Sequence, residues 1–293
     1  VSPRSGFVVL AGRANVGKST LVNRVVGAKV SITSDKPQTT RRAIRGVATG
    51  PDWQLVMVDL PGVQRPRDRL TERMQHRVEH EVAEADASVL LLNGEQGVGP
   101  GDRFIAAALE GSPVPVVLAV NKIDRLDRAR TAAVLAAAAE LRPGAEVFPV
   151  SARTGAGVEP LVEHLVGLLP EGPFYFESDR SSDQPEEVEL AELVREQVLA
   201  RTREELPHAV EVQVDEIEHD QGLVRVRAYV WTETESQKGI VIGAGGRMIK
   251  AIGTAARREL ERRLGEHVHL ELLVRVRRHW RGDEALLDRL GIE

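Results

Sequence analysis

The sequence contains no cysteine, which excludes a disulfide framework and any thiolate-held metal and fits a reducing cytoplasm. Aromatic residues make up only 3% of the chain, too few for a surface built chiefly on base stacking. No apolar run approaches the roughly 18 residues of a membrane span; the longest is broken by Pro113, Pro115 and Asn121. Val1 to Gly6 carries no charged segment followed by a long apolar core, which speaks against secretion. An overall excess of positive charge is also missing. The formal net charge is −5, which argues against nonspecific nucleic-acid binding by the whole chain.

That net charge hides an asymmetry. Residues 177–220 hold 15 acids against 4 bases, a balance of −11, whereas residues 238–281 hold 11 bases against 4 acids, a balance of +7. Such separation points to a local, phosphate-bearing partner for the basic stretch. The chain's 293 residues suffice for two separate cores.

What is present begins with Gly12-Arg13-Ala14-Asn15-Val16-Gly17-Lys18-Ser19, a phosphate-loop pattern directly after the apolar run Phe7 to Ala11. Glycines at this spacing let successive backbone N–H groups curl around phosphates where a helix, here Thr20 to Val26, offers further donors. Lys18 would neutralise β/γ-phosphate charge and Ser19 would hold Mg²⁺. A second motif, Asn121-Lys122-Ile123-Asp124, ends the apolar run Leu118 to Val120. The Asp124 carboxylate can accept from both N1–H and the exocyclic amine of guanine, a donor pair adenine lacks, while Asn121 and the Lys122 stem brace the loop. A mismatched base would leave a buried charge unpaired, at a cost of about 1–3 kcal/mol or more.

Between these motifs lies Asp59-Leu60-Pro61-Gly62, at the end of the buried-strand pattern Val56 to Val58. Taken alone, D-x-P-G is an ordinary turn. In this context Asp59 would hold Mg²⁺ through a water, and the Gly62 N–H would reach a γ-phosphate while its backbone hinges. Pro37-Gln38-Thr39-Thr40-Arg41 suits a mobile switch in which Thr40, in preference to Thr39, completes the Mg²⁺ shell. Ser151-Ala152, after the strand Val147 to Val150, would present backbone to the guanine carbonyl. The nucleotide-binding set is thus Gly12 to Thr20, Asp59 to Val63, Asn121 to Asp124, Ser151 and Ala152, with Lys18, Thr40, Asp59 and Gly62 as the catalytic group.

Strand-like runs alternate with helical ones from Phe7 to Leu169, as expected for a doubly wound α/β sheet of parallel strands with ligand loops at their carboxyl ends. Alanine-rich Thr131 to Leu141 reads as a surface helix. We expect a GTPase domain over 1–172, a linker over 173–184, placed by the polar stretch Ser178 to Pro185, and a second domain over 185–293. In the latter, helix Glu187 to Glu205, strands Val210 to Ile217 and Leu223 to Trp231, an apolar turn, a G-x-x-G loop, a helix to about Leu264 and strand His267 to Val276 follow in turn. This order, with Val241-Ile242-Gly243-Ala244-Gly245-Gly246 at its centre, resembles the α+β KH domain of type II topology, in which a groove beside the loop reads about four nucleotides of single-stranded nucleic acid. Lys238, Gly243, Ala244, Gly245, Gly246, Arg247 and Lys250 are the candidate RNA contacts. Arg257, Arg258, Arg262 and Arg263 continue the basic face, interrupted by Glu259 and Glu261.

The pairing of a GTPase domain with a KH domain through Leu169-Pro-Glu-Gly-Pro-Phe-Tyr-Phe resembles the bacterial Era family over nearly the whole chain. Val30-Ser-Ile-Thr-Ser, Pro37-Gln-Thr-Thr-Arg41, Arg65-Pro66-Arg67 and His279-Trp280-Arg281 add to the match. The resemblance implies a GTP-dependent factor that binds the 3′ end of small-subunit ribosomal RNA, assists maturation of the small subunit and associates peripherally with the inner membrane; a cytoplasmic protein is expected from the absence of cysteine, and a monomer is the simplest expectation. It also implies K⁺ stimulation, with Asn15 as the K⁺ ligand beside the phosphates. Val63 stands where many regulatory GTPases carry a water-orienting glutamine, so unaided hydrolysis on the order of 10⁻³ s⁻¹ or slower is expected.

Four positions depart from the family pattern. Ala14 replaces a common proline, Leu60 a threonine, Arg153 the lysine of S-A-K and Ala244 the lysine of G-K-G-G. Backbone contacts at the first and third sites make those changes tolerable, Leu60 bears on switch behaviour, and Ala244 shifts RNA affinity toward Arg247 and Lys250. The competing functional classes are a constitutive RNA-binding module, a signalling GTPase that docks membrane or protein partners, and a phosphoryl-transferring metabolic kinase.

Overall fold

The computed structural model describes residues 2–36, 39–62 and 67–292 and divides into two compact units. The first comprises residues 1–33, 37–66 and 71–183; the second comprises 34–36, 67–70 and 184–293.

In the first unit, β1 (Arg4–Ala11), α1 (Lys18–Val26), β2 (Ile44–Thr49), β3 (Trp53–Asp59), α2 (Arg69–Glu84), β4 (Ala87–Asn93), α3 (Pro100–Ala108), β5 (Val116–Asn121), α4 (Arg128–Leu141), β6 (Val147–Pro149) and α5 (Val158–Leu168) succeed one another. The sheet order is β2-β3-β1-β4-β5-β6. Strands β4 and β5 are buried along their whole length, which explains their unbroken apolar sequences. Alternate residues of β1 feed opposite cores. Val8 and Leu10 pack with Leu21 and Val22 of α1 and Leu161 and Leu165 of α5. Val9 packs with Val58, Leu60 and Val78 on the other face. Each fully buried leucine or valine is worth about 1.5–3 kcal/mol, so these layers hold the ligand loops at a fixed sheet edge.

The sheet is mixed where parallel strands were expected: β2 runs antiparallel to β3, with Ile44 opposite Asp59 and Thr49 opposite Gln54. Only three residues, 50 to 52, join the two strands, too few for the crossover a parallel pair needs. Helix α1 begins at Lys18 rather than Thr20. Helix α4 is a surface helix as expected, capped by Asp127, whose side chain accepts from the Arg130 N–H.

The segment after α5 lies along this unit. Gln54, fully buried, accepts from the N–H groups of Tyr175 and Phe176 at 2.9 Å each and donates to the Phe176 carbonyl at 2.8 Å. Tyr175 packs edge-on against Phe7, and Val47 N–H donates to the Ser181 carbonyl at 2.9 Å.

The second unit contains α6 (Glu186–Arg201), α7 (Leu206–Ala209), β7 (Glu211–Asp220), β8 (Leu223–Thr232), α8 (Glu235–Ile242), α9 (Arg247–Leu264), β9 (His267–Val276) and α10 (Glu284–Arg289). Its sheet order is β7-β8-β9, with β8 antiparallel to β7 and parallel to β9. Leu190, Val194 and Val198 of α6, Ile252, Ala256 and Leu260 of α9, and Val224, Val226, Ala228 and Val230 of β8 are all buried. The expected single helix Glu187 to Glu205 ends at Arg201. Thr202 is extended and bonds its hydroxyl back to the Val198 carbonyl, Glu204 is left-handed at φ 57, and the short α7 follows. Trp280, fully buried, donates its indole N–H to the Ala209 carbonyl and fixes α7.

Candidate functional site

In the first unit the loop from Gly12 to Gly17 joins β1 to α1, and its conformation depends on absent side chains. Gly17 has φ 103, and a Cβ there would lie 2.3 Å from the Asn121 amide nitrogen. Lys18 is buried and donates to the carbonyls of Gly12 at 3.1 Å and Arg13 at 3.2 Å. The loop is curled around its own lysine, at the start of a helix whose first N–H groups lack intrahelical partners. Arg13 is anchored to buried Asp102 at 2.8 Å, whereas Ala14 and Asn15 are exposed, Asn15 with φ 62. Thr20 lies in the first turn of α1.

Asp59 ends β3 beneath this loop. Its Oδ2 accepts from the hydroxyls of Ser19 at 2.6 Å, Ser31 at 2.7 Å and Thr40 at 3.3 Å, and the Ser19 and Thr40 hydroxyls are 3.3 Å apart. Thr40, not Thr39, is the threonine brought to this cluster. Asp59 Oδ1 is buried without a hydrogen-bond partner among the described residues. Burial pushes the Asp59 carboxyl up, opposed by the Lys18 charge and the three hydroxyls, and pushes the Lys18 ammonium down, opposed by Asp59. One carboxylate with hydroxyl oxygens fits a hard divalent cation that takes its remaining ligands from water and phosphate. Among the described residues no cluster of three or more His, Cys, Asp or Glu could hold a metal.

Leu60 is buried in the core with Val58 and Val78, so the leucine in place of threonine fills space in that core. Pro61 is buried, and Gly62 lies close to Ala14, its Cα such that an added Cβ would sit 3.6 Å from the Ala14 nitrogen. Val63, and with it the reading of a missing glutamine, lies outside the described residues, as do Pro37, Gln38, Arg65 and Pro66.

Three loops meet at the far end. Asn121 donates to the Val16 carbonyl at 2.8 Å and accepts from the Ala152 N–H at 2.9 Å. Lys122, left-handed at φ 68, donates to the Asn15 carbonyl at 2.9 Å. Ile123 and Asp124 begin a single 3₁₀ turn. The Asp124 carboxylate takes the Ser151 hydroxyl on Oδ1 at 2.6 Å and the Arg153 guanidinium on Oδ2 at 2.6 and 3.1 Å. The Ser151 hydroxyl first, and then Arg153, hold its carboxyl below the usual carboxylate range against the effect of burial. Beyond the largely backbone role expected at position 153, the side chain also orients Asp124, which arginine reaches through a planar fork.

Sequence reasoning assigned no role to Ser31, Arg24 or the Arg153 side chain. Ser31 lies in a stretch noticed only as a family match. Arg24 points back from α1 to the Ala152 carbonyl at 3.0 Å, which no motif announces.

In the second unit, α8 is opened by a capping box of Thr234 and Gln237 and followed by the glycine loop. Gly243 has φ 71 and ψ 167, and a Cβ there would lie 2.7 Å from that of Met248. Gly245 and Gly246 are also left-handed, at φ 61 and 76, and Ala244 is exposed. Lys238 lies 3.9 Å from Glu235 on α8. Arg247 bonds the Ala244 carbonyl at 3.2 Å, and exposed Lys250 follows one turn later. Beside the loop a groove of about 460 Å³ runs between α9 and the edge strand β9, lined by Ile249, Lys250, Gly253, Arg257, Leu270 and Leu272 among others. An edge strand offers unpaired backbone N–H and C=O groups, and the apolar lining offers a floor for flat rings. The β9 contribution was not read from the sequence.

Family models match twice: a 50S ribosome-binding GTPase over residues 7–122 and a KH domain over residues 205–281. GTPase Era of Mycobacterium avium is 45% identical, with 98% of each chain covered, and GTPase Era of Mycobacterium tuberculosis matches equally well. The crystal structure of a point variant of Aquifex aeolicus Era bound to GDP·AlF4⁻ superposes with a TM-score of 0.95 at 33% identity over 99% of each chain. A structure of Era in complex with MgGDPNP and nucleotides 1506–1542 of 16S ribosomal RNA does so with the same score, identity and coverage. With GTPase and KH family models both matched along one chain and 45% identity over 98% of it, the protein belongs to the Era family of GTPases.

Proposed function

We propose that this GTPase is a switch whose nucleotide state governs binding of the 3′ end of small-subunit ribosomal RNA, and that it assists small-subunit assembly. The observation that carries the reading is the match over 99% of the chain to an Era crystallised with MgGDPNP and 16S nucleotides 1506–1542. In this reading the backbone from Gly12 to Thr20 cradles the phosphates and Lys18 offsets their charge. Asp124 accepts from guanine, with Asn121, Lys122, Ile123, Ser151 and Ala152 forming the wall of the base pocket. Ser19, Thr40 and Asp59, the last through a water, hold Mg²⁺, which when bound neutralises charge on the phosphate oxygens. The Gly62 N–H senses the γ-phosphate, and Leu60, Pro61 and Val63 complete the nucleotide-binding set. Orphaned Asp59 Oδ1 and the converging hydroxyls support this assignment.

Lys18, Thr40, Asp59 and Gly62 position and stabilise the transferring phosphoryl group without a glutamine at position 63, so intrinsic turnover is slow. In this reading Asn15 would hold K⁺, and the cation would supply charge where an arginine finger acts elsewhere. Lys238, Gly243 to Gly246, Arg247 and Lys250 contact RNA phosphates and backbone. Domain limits of 1–172, 173–184 and 185–293, a cytoplasmic monomer and peripheral contact with the inner membrane complete the proposal. No helix among the described residues is long and apolar enough to cross a membrane.

The test is titration of labelled RNA copying the 3′ end of 16S ribosomal RNA with protein in GTP analogue, GDP or no nucleotide. Tighter binding with the analogue supports the switch. Equal binding in all three states replaces it with a constitutive RNA module, and binding to anionic vesicles but not to RNA replaces it with a membrane-docking signalling GTPase.

A further inference from the structure

Helix α9 carries six bases, and the structure sorts them. Arg262 is paired with Glu259 at 2.7 Å and Arg263 with Glu189 at 2.8 Å, so the C-terminal end of the helix is neutralised. Arg247, Lys250, Arg257 and Arg258 are exposed and form no ion pair among the described residues. Lys250 and Arg257 line the groove against β9. Arg247, Lys250 and Arg258 line a separate open cleft of about 370 Å³ together with Arg201 from the end of α6, Ala251 and Thr254.

At about 100° per residue, the cleft residues occupy a face of α9 roughly a quarter-turn from the groove and opposite the buried stripe Ile252, Ala256 and Leu260. Lys250 and Thr254 form the ridge between the two sites and line both. Four bases and no acid line the cleft, and Arg201 is steadied by its bonds to the Gln197 carbonyl and amide oxygen at 3.1 and 2.9 Å. Its only apolar side chains are alanines, with no aromatic or large aliphatic wall. A base or nucleoside would find nothing to stack on, whereas a run of phosphates would find guanidinium forks spread over about 16 Å of helix.

We propose that this cleft is a second RNA-binding site, specific for the phosphodiester backbone, that holds the strand after it crosses the Lys250 ridge out of the groove. The inference rests on the RNA-binding reading above. It makes RNA affinity the sum of a short, base-reading groove and a sequence-independent backbone track on the outer face of the same helix.

The test compares the full chain with an R201Q/R258Q double variant, binding an RNA of about 40 nucleotides from the 16S 3′ end and a hexamer confined to the groove, across a salt series. Two lost phosphate contacts lower the slope of log affinity against log salt by about 1.4. On the long RNA the variant is expected to bind about 5–20-fold more weakly at low salt, with the hexamer unchanged. R262Q, altering a paired base on the same helix, serves as the control and should match the parent on both RNAs. Thermal melting that coincides with the parent's shows that the double variant folds. Unchanged long-RNA affinity and slope would overturn the proposal, as would equal losses on both RNAs, which would make the cleft part of the groove. Failure of the unmodified protein to bind either RNA would instead remove the RNA-binding reading itself, and this inference with it.

Discussion

Ser31 donates its hydroxyl to Oδ2 of Asp59 at 2.7 Å, the same oxygen that receives Ser19 and Thr40. The other oxygen, Oδ1, is buried and has no hydrogen-bond partner among the described residues. Ser31 is therefore a positioning residue for the acid, one step removed from any ligand.

Ser31→Ala should raise the Mg²⁺ concentration needed for half-maximal GDP binding by about 10–150-fold, the equivalent of about 1.5–3 kcal/mol for a hydrogen bond to a charged group. GDP binding in excess chelator should be unaffected. An unchanged Mg²⁺ dependence would show that Asp59 is held well enough by Ser19 and Thr40 alone.

A carboxyl whose folded-state pKa is depressed contributes at pH values above its unfolded value, and that contribution is lost as pH falls through the folded value. Asp124, held low by Ser151 and Arg153, should thus stay ionised and keep guanine affinity level from about pH 8 to about pH 5. The S151A/R153A variant releases both holds, so its GDP affinity should begin to fall at a higher pH than the parent's. Parallel pH profiles for the two proteins would refute this account of Asp124.

Gln54 satisfies two backbone donors and one acceptor of the segment after α5 while itself fully buried. Gln54→Ala should destabilise the first unit by about 2–4 kcal/mol in denaturant titration and speed proteolysis within residues 173–183. A variant with parental stability and cleavage rate would mean that the segment's other bonds suffice to hold it.

GTP hydrolysis should be several-fold faster in K⁺ than in Na⁺ at matched ionic strength, and Asn15→Ala should abolish the difference while leaving the Na⁺ rate in place. Equal rates in the two salts for the parent would remove the K⁺ assignment.

The local pattern carried much of the fold. Unbroken apolar runs at Phe7 to Ala11, Val56 to Val58 and Leu118 to Val120 are buried parallel strands because such strands need apolar residues on both faces. The motif residues sit at their ends, where a strand delivers a loop. The antiparallel β2 was missed because its sequence, Ile44-Arg45-Gly46-Val47-Ala48-Thr49, has no pattern that fixes strand direction; the three-residue connection to β3 does. The break after Arg201 was missed because Thr202-Arg203-Glu204-Glu205 is compatible with a helix, and buried Trp280, 71 residues from Ala209 in sequence, helps set the turn that replaces it.

By itself, the sequence determined the residue types from which the proposed chemistry is drawn: a glycine loop ending in lysine and serine, an aspartate closing an N-K-x-D motif, a carboxylate at the end of a buried strand and a basic helix after a glycine loop. These are properties of residue types at short spacing, and short spacing is legible without a structure. Tertiary structure alone decided which groups act together. It chose Thr40 over Thr39 at Asp59, recruited Ser31 and Arg153 as positioning residues, gave Gln54 the segment after α5, and divided the bases of α9 between ion pairs and open clefts. Those outcomes depend on distances of about 3 Å between residues tens of positions apart, which only chain packing sets.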